Sequence, residues 1–340
     1  MGILTLVSVY ALILVGGIVR SSGSGMGCPD WPKCFGSFIP PSHISQLPDD
    51  YKEVYTAKRI QKNERVAKIL NAIGLESAAK KILSEETIFM ETDFNPVKTK
   101  IEYLNRLLGV LVGFFIVILT IQSFRFIKSN KSIFWQTFTV LILVILEGWL
   151  GSLIVSTNLL PFTITIHMAL ALLIAFILIN ALVKVMRPQI AVAKNNFSLL
   201  RRAFLFLIIL TSSQLLVGTQ VREQIDLIAF FNSNRMEWIN QLNAVFSLHQ
   251  VIAVAIFVLL LLTGYLLVDN IKYFDFFGRL FLILLGIVGV SMLTGILLAT
   301  HGFPPVIQPI HLLAANLLIG VQYLIFLLLP RFNVRYSNTK

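Results

Sequence analysis

"GSLIVSTNLLPFTITIH" (residues 151–167) returns later in the chain as "GILLATHGFPPVIQPIH" (residues 295–311). Both stretches begin with Gly and end with His 16 residues further on, and the offset between them is 144 residues at either end. The same offset carries Asn105 onto His249. Upstream, "VGGIVR" (15–20) matches "VGTQVR" (217–222) at an offset of 202 residues, which places Arg20 opposite Arg222. The two offsets differ by 58 residues, the size of an insertion in the first copy. Self-similarity of this kind marks a molecule built from repeated units.

Composition says what those units are. Of the 340 residues, 56% are hydrophobic and 13% charged, with a mean hydropathy of +0.80. Soluble domains carry about 25% charged residues, so the net charge of +11 belongs to a membrane protein, and a soluble or nucleic-acid-binding protein is excluded. Runs long enough to cross about 30 Å of hydrocarbon lie near 3–19, 103–122, 134–156, 162–183, 203–221, 243–266, 280–299 and 306–329. The expected fold is an all-α polytopic membrane protein of eight transmembrane helices in two pseudo-symmetric four-helix bundles. The first unit covers 1–183, with an extracytoplasmic insertion at about 42–98; the second covers 203–329; residues 330–340 form a tail. The N-terminal run lacks a basic n-region and a small-residue cleavage site, so it reads as a span. No Arg-rich transit segment stands before it, which favours a bacterial plasma membrane.

Short basic connections follow the second, fourth and sixth spans and the last one: Arg125, Lys128 and Lys131; Lys184, Arg187, Lys194, Arg201 and Arg202; Lys272 and Arg279; Arg331, Arg335 and Lys340. On the other side there is no Lys or Arg between spans three and four or seven and eight, and only Arg222 and Arg235 between five and six. Cytoplasmic loops carry the excess of Lys and Arg, so both termini are expected in the cytoplasm; a loop as long as the insertion crosses regardless of its charge. Within the insertion, Val66, Ile69, Leu70 and Ile73 recur at helical spacing, which predicts one or two amphipathic helices over the outer face. The only cysteines, Cys28 and Cys34, lie outside in "CPDWPKC", where a disulfide persists. A structural staple is the plainer reading of that ring; a redox-active pair would be strained or exposed.

His167, His249 and His311 open spans four, six and eight, and Asn105 holds the equivalent place on span two. A lone His near a span end is usually an interfacial hydrogen-bonding group. Three at repeat-related positions point to ligands, because two His on neighbouring helices of a bundle are the arrangement that holds a haem by its axial positions. His249 and His311 form such a pair; His167 faces Asn105. Arg20 and Arg222 end spans one and five on the same side, and their symmetry suits one propionate-binding cluster per half, although any single Arg could snorkel there. Glu102, Asn105 and Arg106 share a helix face at i, i+3, i+4, and a carboxylate at the edge of a haem pocket is a candidate base or cation stabiliser. His301 reads as interfacial. His43 and Glu147 have no assigned role.

"GGIVRSSGSGMGCPDWPKCFGSFIPP", "EYLNRLLG", "GWLGSLIVSTNLLPFTITIH", "LLVGTQVRE" and "VIQPIHLLAAN" together resemble the bacterial haem A synthase family, over nearly the whole chain outside the insertion. The resemblance implies haem b in the C-terminal half on His249 and His311, with Arg222 nearby. It implies substrate haem O in the N-terminal half, near His167, Asn105, Arg106 and Arg20. The family converts the C8 methyl group of haem O to a formyl group by successive hydroxylations, with water as the oxygen source. The family's Glu-x-x-His-Arg motif corresponds to Glu102, Asn105 and Arg106, with Glu102 as the catalytic carboxylate that stabilises a carbocation at the methyl. Asn105 departs from the family His and leaves substrate iron with His167 alone from this pair. Cys28 and Cys34 match the family's outer-loop pair, which relays electrons or handles substrate haem. Implied partners are the farnesyltransferase that produces haem O and a membrane electron acceptor, and homo-oligomerisation is compatible with this reading. Two other readings compete: a di-haem b-type electron-transfer cytochrome without catalysis predicts four good axial ligands, and a two-repeat transporter predicts polar groups at the midplane.

Overall fold

A computed structural model describes residues 1–72, 74, 76–84, 93–157, 163–186, 197–270 and 274–329. Arg187, Lys194, Lys272, Arg331, Arg335, Lys340 and the rest of the tail lie outside the described residues, as do 85–92 of the insertion.

Helix accounts for almost all of it. The elements are α1 (Gly2–Ser21), α2 (Tyr51–Ala72), α3 (Glu76–Ser84), α4 (Pro96–Ser123), α5 (Ile127–Ser156), α6 (Thr163–Met186), α7 (Ser198–Phe231), α8 (Ala244–Asn270), α9 (Phe274–Thr300) and α10 (Ile307–Leu328). All but α2 and α3 are apolar around most of their circumference, and in hydrocarbon a helix is the one open-ended element that satisfies every backbone group internally. Among the described residues seven stretches are long and apolar enough to cross a membrane, and one of them, Pro96–Val155, is 60 residues long. That stretch is not one rod. It turns through a 3₁₀ segment, Phe124–Phe126, and through Asn130, whose φ of −157° and ψ of 82° are not helical. Its two parts, α4 and α5, then pack on one another. The chain is a multi-pass, all-α membrane protein.

The packing makes two rings. α1, α4, α5 and α6 each touch the next and close back on α1; α7, α8, α9 and α10 do the same. The first ring buries Val9, Ile13, Val112, Ile116, Val140, Ile174 and Leu178, and the second Phe204, Leu207, Leu260, Leu284 and Ile325. Large apolar side chains such as Val110, Ile145 and Leu262 point outward instead, which is stable only where the surroundings are lipid. The rings meet along α1 and α10. There Pro309 backs onto Gly17, and Tyr10 fills the place of a side chain at Gly320, where a Cβ would lie 2.1 Å from its hydroxyl. Small residues let helices approach where no hydrophobic force drives them together.

The insertion is helical, as its periodicity predicts, but its buried stripe is not apolar. Along α2 the buried positions are Tyr51, Tyr55, Arg59, Asn63 and Ala67. The apolar residues Val66 and Leu70 instead cover Ile82 of α3.

Candidate functional site

His167, His249 and His311 stand in the first turns of α6, α8 and α10. Each ring lies beside a glycine of the preceding helix. A Cβ would come within 4.0 Å of His167 Cε1 at Gly151, 3.1 Å of His249 Cε1 at Gly218 and 3.3 Å of His311 Cε1 at Gly295. Gly16, the repeat partner of Gly218, meets nothing within 4 Å, as it should where Asn105 stands in place of an imidazole.

In the second ring of helices the His249 and His311 ring centroids are 6.3 Å apart, with their planes at 62°. Two imidazoles sharing one metal each stand about 2 Å from it, which places their centroids roughly 6 Å apart; the observed spacing fits haem iron. His311 Nδ1 lies 3.0 Å from the Ser291 carbonyl and 2.9 Å from Thr294 Oγ1. A carbonyl only accepts, so Nδ1 carries the proton and Nε2 keeps its lone pair for a metal. Gln214 donates to the His249 carbonyl at 2.7 Å. Among the described residues no three His, Cys, Asp or Glu side chains converge as they would on a bare ion.

The first ring differs at each equivalent place. Asn105 Oδ1 is buried with no hydrogen-bond partner among the described residues. His167 Nδ1 lies against Glu147 Oε2, off the line of a hydrogen bond. The 144-residue offset carries Glu147 onto Ser291, so the same ring nitrogen meets a carboxylate in one half and a backbone carbonyl in the other. Sequence reading left Glu147 without a role; its signal was a Glu on an apolar helix at the repeat position of the group behind His311.

One helical turn before Asn105, Glu102 is 3% exposed. Its Oε1 pairs with Arg106 and its Oε2 accepts from the Cys28 N–H at 2.8 Å. Arg106 also donates through Nη1 and Nη2 to loop carbonyls, those of Asp30 at 2.5 Å, Lys33 at 2.9 Å and Cys28 at 2.9 Å. Thr99 donates to the Gly27 carbonyl at 2.9 Å. The cysteine loop is thus fastened to the first turns of α4, and the carboxylate is held by the loop. Cys28 and Cys34 form a disulfide with both residues fully buried, so the exposure expected of a labile pair is absent. Asp30 takes the N–H groups of Phe35 and Gly36 at 2.7 and 2.9 Å. Phe35, at a φ of 53°, is held in this unfavourable region by those bonds and by Tyr51, Tyr55 and Phe94, whose rings lie 5.4–6.1 Å away.

The two arginines are not apportioned one to each half. Arg20 donates to Asp226 Oδ2 at 2.8 and 3.2 Å, and Arg222 reaches Oδ1 of the same carboxylate at 2.6 Å. The two guanidiniums that the repeat assigns to separate halves meet on one carboxylate, where the end of α1 comes up to α7. The physical reason is Asp226, one turn beyond Arg222, whose two oxygens each take one guanidinium. His301 is exposed at the end of α9 beside Thr300, and His43 caps a short 3₁₀ turn, Ile44–Gln46.

Two closed four-helix rings that carry histidines at repeat-related positions near one end, with a carboxylate–guanidinium pair on α4 of the first ring, define a multi-pass membrane protein with two repeat-related histidine sites. The chain belongs to the family described as cytochrome oxidase assembly protein (COX15-CtaA), whose model matches residues 1–71 and 75–323. It is similar to proteins named Heme A synthase. One from Ehrlichia canis (strain Jake) is 27% identical over 179 residues, 51% of this chain and 44% of that protein. One from Shewanella oneidensis is 24% identical over 165 residues, 48% and 38%. One from Ehrlichia ruminantium (strain Gardel) is 22% identical over 358 residues, 98% and 93%. The chain therefore matches less than half the length of the first two and nearly all of the third. No solved structure matches it.

Proposed function

We propose that this protein is a haem A synthase, which oxidises the C8 methyl group of haem O to a formyl group in the outer half of the bilayer. The observation that carries the reading is the asymmetry between its two repeat-related pockets. One offers a histidine pair at iron-spanning distance. The other offers His167 opposite Asn105, with Glu102 and Arg106 a turn away on the same helix. A doubly ligated haem suits electron transfer, whereas a haem held from one face suits a molecule that must enter, react and leave. Family membership supports this reading, and the names of the relatives point to the same reaction.

In the second ring His249 and His311 hold haem b, which supplies one-electron transfer when bound. In the first ring His167 ligates the substrate. Conversion of the methyl to the formyl group takes up one water and releases four electrons and four protons, which leave to a membrane acceptor. Glu102 supports that chemistry by lying, held by Arg106 and the Cys28 N–H, where positive charge develops at the methyl. A preorganised charge of this kind needs no reorganisation at the moment of reaction. The buried disulfide keeps the loop that holds Glu102 in place. The histidine ends face outward and both ends of the chain face the cytoplasm of a bacterium, by the distribution of Lys and Arg.

The test is extraction of the haems bound to protein purified after co-expression with a source of haem O, with identification by mass. Haem b together with haem O, haem A or a hydroxylated intermediate is the expected result. Haem b alone overturns the assignment and makes the protein an electron-transfer cytochrome.

A further inference from the structure

The insertion brings a cation to the mouth of the substrate pocket. Lys62 of α2 donates to the Ser152 carbonyl and to Ser152 Oγ, both at 2.9 Å. Ser152 follows Gly151, the glycine over which the His167 ring lies. An ammonium has three donors, so one remains beyond the two given to Ser152. Among the described residues no carboxylate pairs with Lys62. Burial, and the nearby charge of Arg106, push its pKa below the ordinary lysine value. A half-buried cation that faces another cation and has no counter-ion costs free energy as it stands, and an arriving anion would recover that cost. The next residue, Asn63, is fully buried with neither amide atom partnered among the described residues, a second polar gap on the same helix.

We propose that α2 is the roof of the substrate pocket and that Lys62, steadied by Ser152, binds a propionate carboxylate of the substrate haem. The inference rests on the reading of the first ring as the haem O site. It also gives the insertion a purpose. With Asn105 in place of a second histidine, iron ligation to His167 alone leaves the porphyrin free to rotate about that bond, and an anchor at its edge removes the freedom. The C8 methyl group and one propionate sit on the same pyrrole ring. A propionate held by Lys62 therefore keeps the methyl at the outer end of the pocket, where Glu102 and Arg106 lie.

The test is equilibrium binding of haem O and of its dimethyl ester, which lacks the carboxylates. It uses full-length protein already carrying its His249/His311 haem, in nanodiscs of neutral phosphatidylcholine and in nanodiscs containing phosphatidylglycerol. Lys62→Ala should weaken haem O binding roughly tenfold or more in neutral lipid, the worth of one charge-assisted hydrogen bond. It should leave dimethyl ester binding unchanged, and Lys62→Arg should recover most of the loss. An unchanged spectrum of the second-ring haem shows that the variants fold. Equal haem O affinity in Lys62→Ala and the parent protein overturns the proposal while leaving the haem O reading intact. A loss seen only with phosphatidylglycerol assigns Lys62 to lipid phosphate and overturns it too. A parent protein that binds no haem O removes the reading itself, and the proposal with it.

Discussion

At the residue scale, the feature that matters most is a carboxylate with no freedom. Glu102 accepts from a guanidinium and from a backbone N–H that belongs to a disulfide-closed loop 74 residues away in the chain. Charged hydrogen bonds of this kind are worth about 1.5–3 kcal/mol each, so the group is fixed in position. Glu102→Gln keeps the shape and removes the charge. Conversion of haem O should fall roughly 10²-fold, the usual cost of losing one preorganised electrostatic group, while haem O stays bound and accumulates. Haem extraction with mass detection reads both quantities, and an undiminished haem A yield would take Glu102 out of the chemistry. The contrast between Glu147 behind His167 and the Ser291 carbonyl behind His311 is of the same scale, a second difference between the halves beside Asn105 and His249.

At the element scale, the first turns of α4 and the cysteine loop behave as one part. The helix starts at Asn95, whose side chain accepts from the Val97 and Lys98 N–H groups at 3.0 and 3.1 Å, with Pro96 at the first helical position. That cap fixes where Lys98 and Thr99 meet the loop. Gly27 lies so close that an added Cβ would stand 2.7 Å from the Lys98 carbonyl carbon and oxygen, and backbone cannot step aside as a side chain can. Gly27→Ala should therefore lift the loop off α4, lower stability by about 1–3 kcal/mol as overpacking does, and weaken the Cys28 contact with Glu102. Gly16→Ala is the control: with nothing within 4 Å of its Cβ, it should be neutral or slightly stabilising, since Ala is the better helix former. Thermal melting of the two purified variants beside the parent protein distinguishes them. α2 belongs to this scale as well. Its periodicity reads as helix, yet its buried stripe carries Arg59 and Asn63, and its lysine reaches α5. It is a helix that faces a polar interior.

At the scale of the whole molecule, two closed rings share one seam, and both arginines of the repeat converge there on Asp226. The Arg20–Asp226–Arg222 cluster joins the two halves at the same end as the histidines. The orientation proposed from the placement of Lys and Arg has that end outside. A reporter enzyme active only outside the cytoplasm, fused within the insertion near residue 74, should be active; fused after residue 131 it should be silent. The reverse pattern would invert the molecule and place the disulfide in a reducing compartment, where it would not persist.

The sequence by itself determined the membrane class, the positions of the apolar helices, the two-fold repeat and the place of the three histidines near the starts of their helices. Hydropathy and helical period are local properties, and a constant offset transfers one half's geometry to the other. It also showed Glu102 and Arg106 on one face, because residues four apart on a helix are neighbours by construction. Which groups meet across elements was decided by tertiary structure alone. Asp226 gathered arginines that sequence symmetry had divided between the halves. Glu147 found His167, the cysteine loop closed on Glu102, and Lys62 crossed from the insertion to Ser152. Each of these pairs joins residues on different helices or loops, where separation along the chain carries no information about distance.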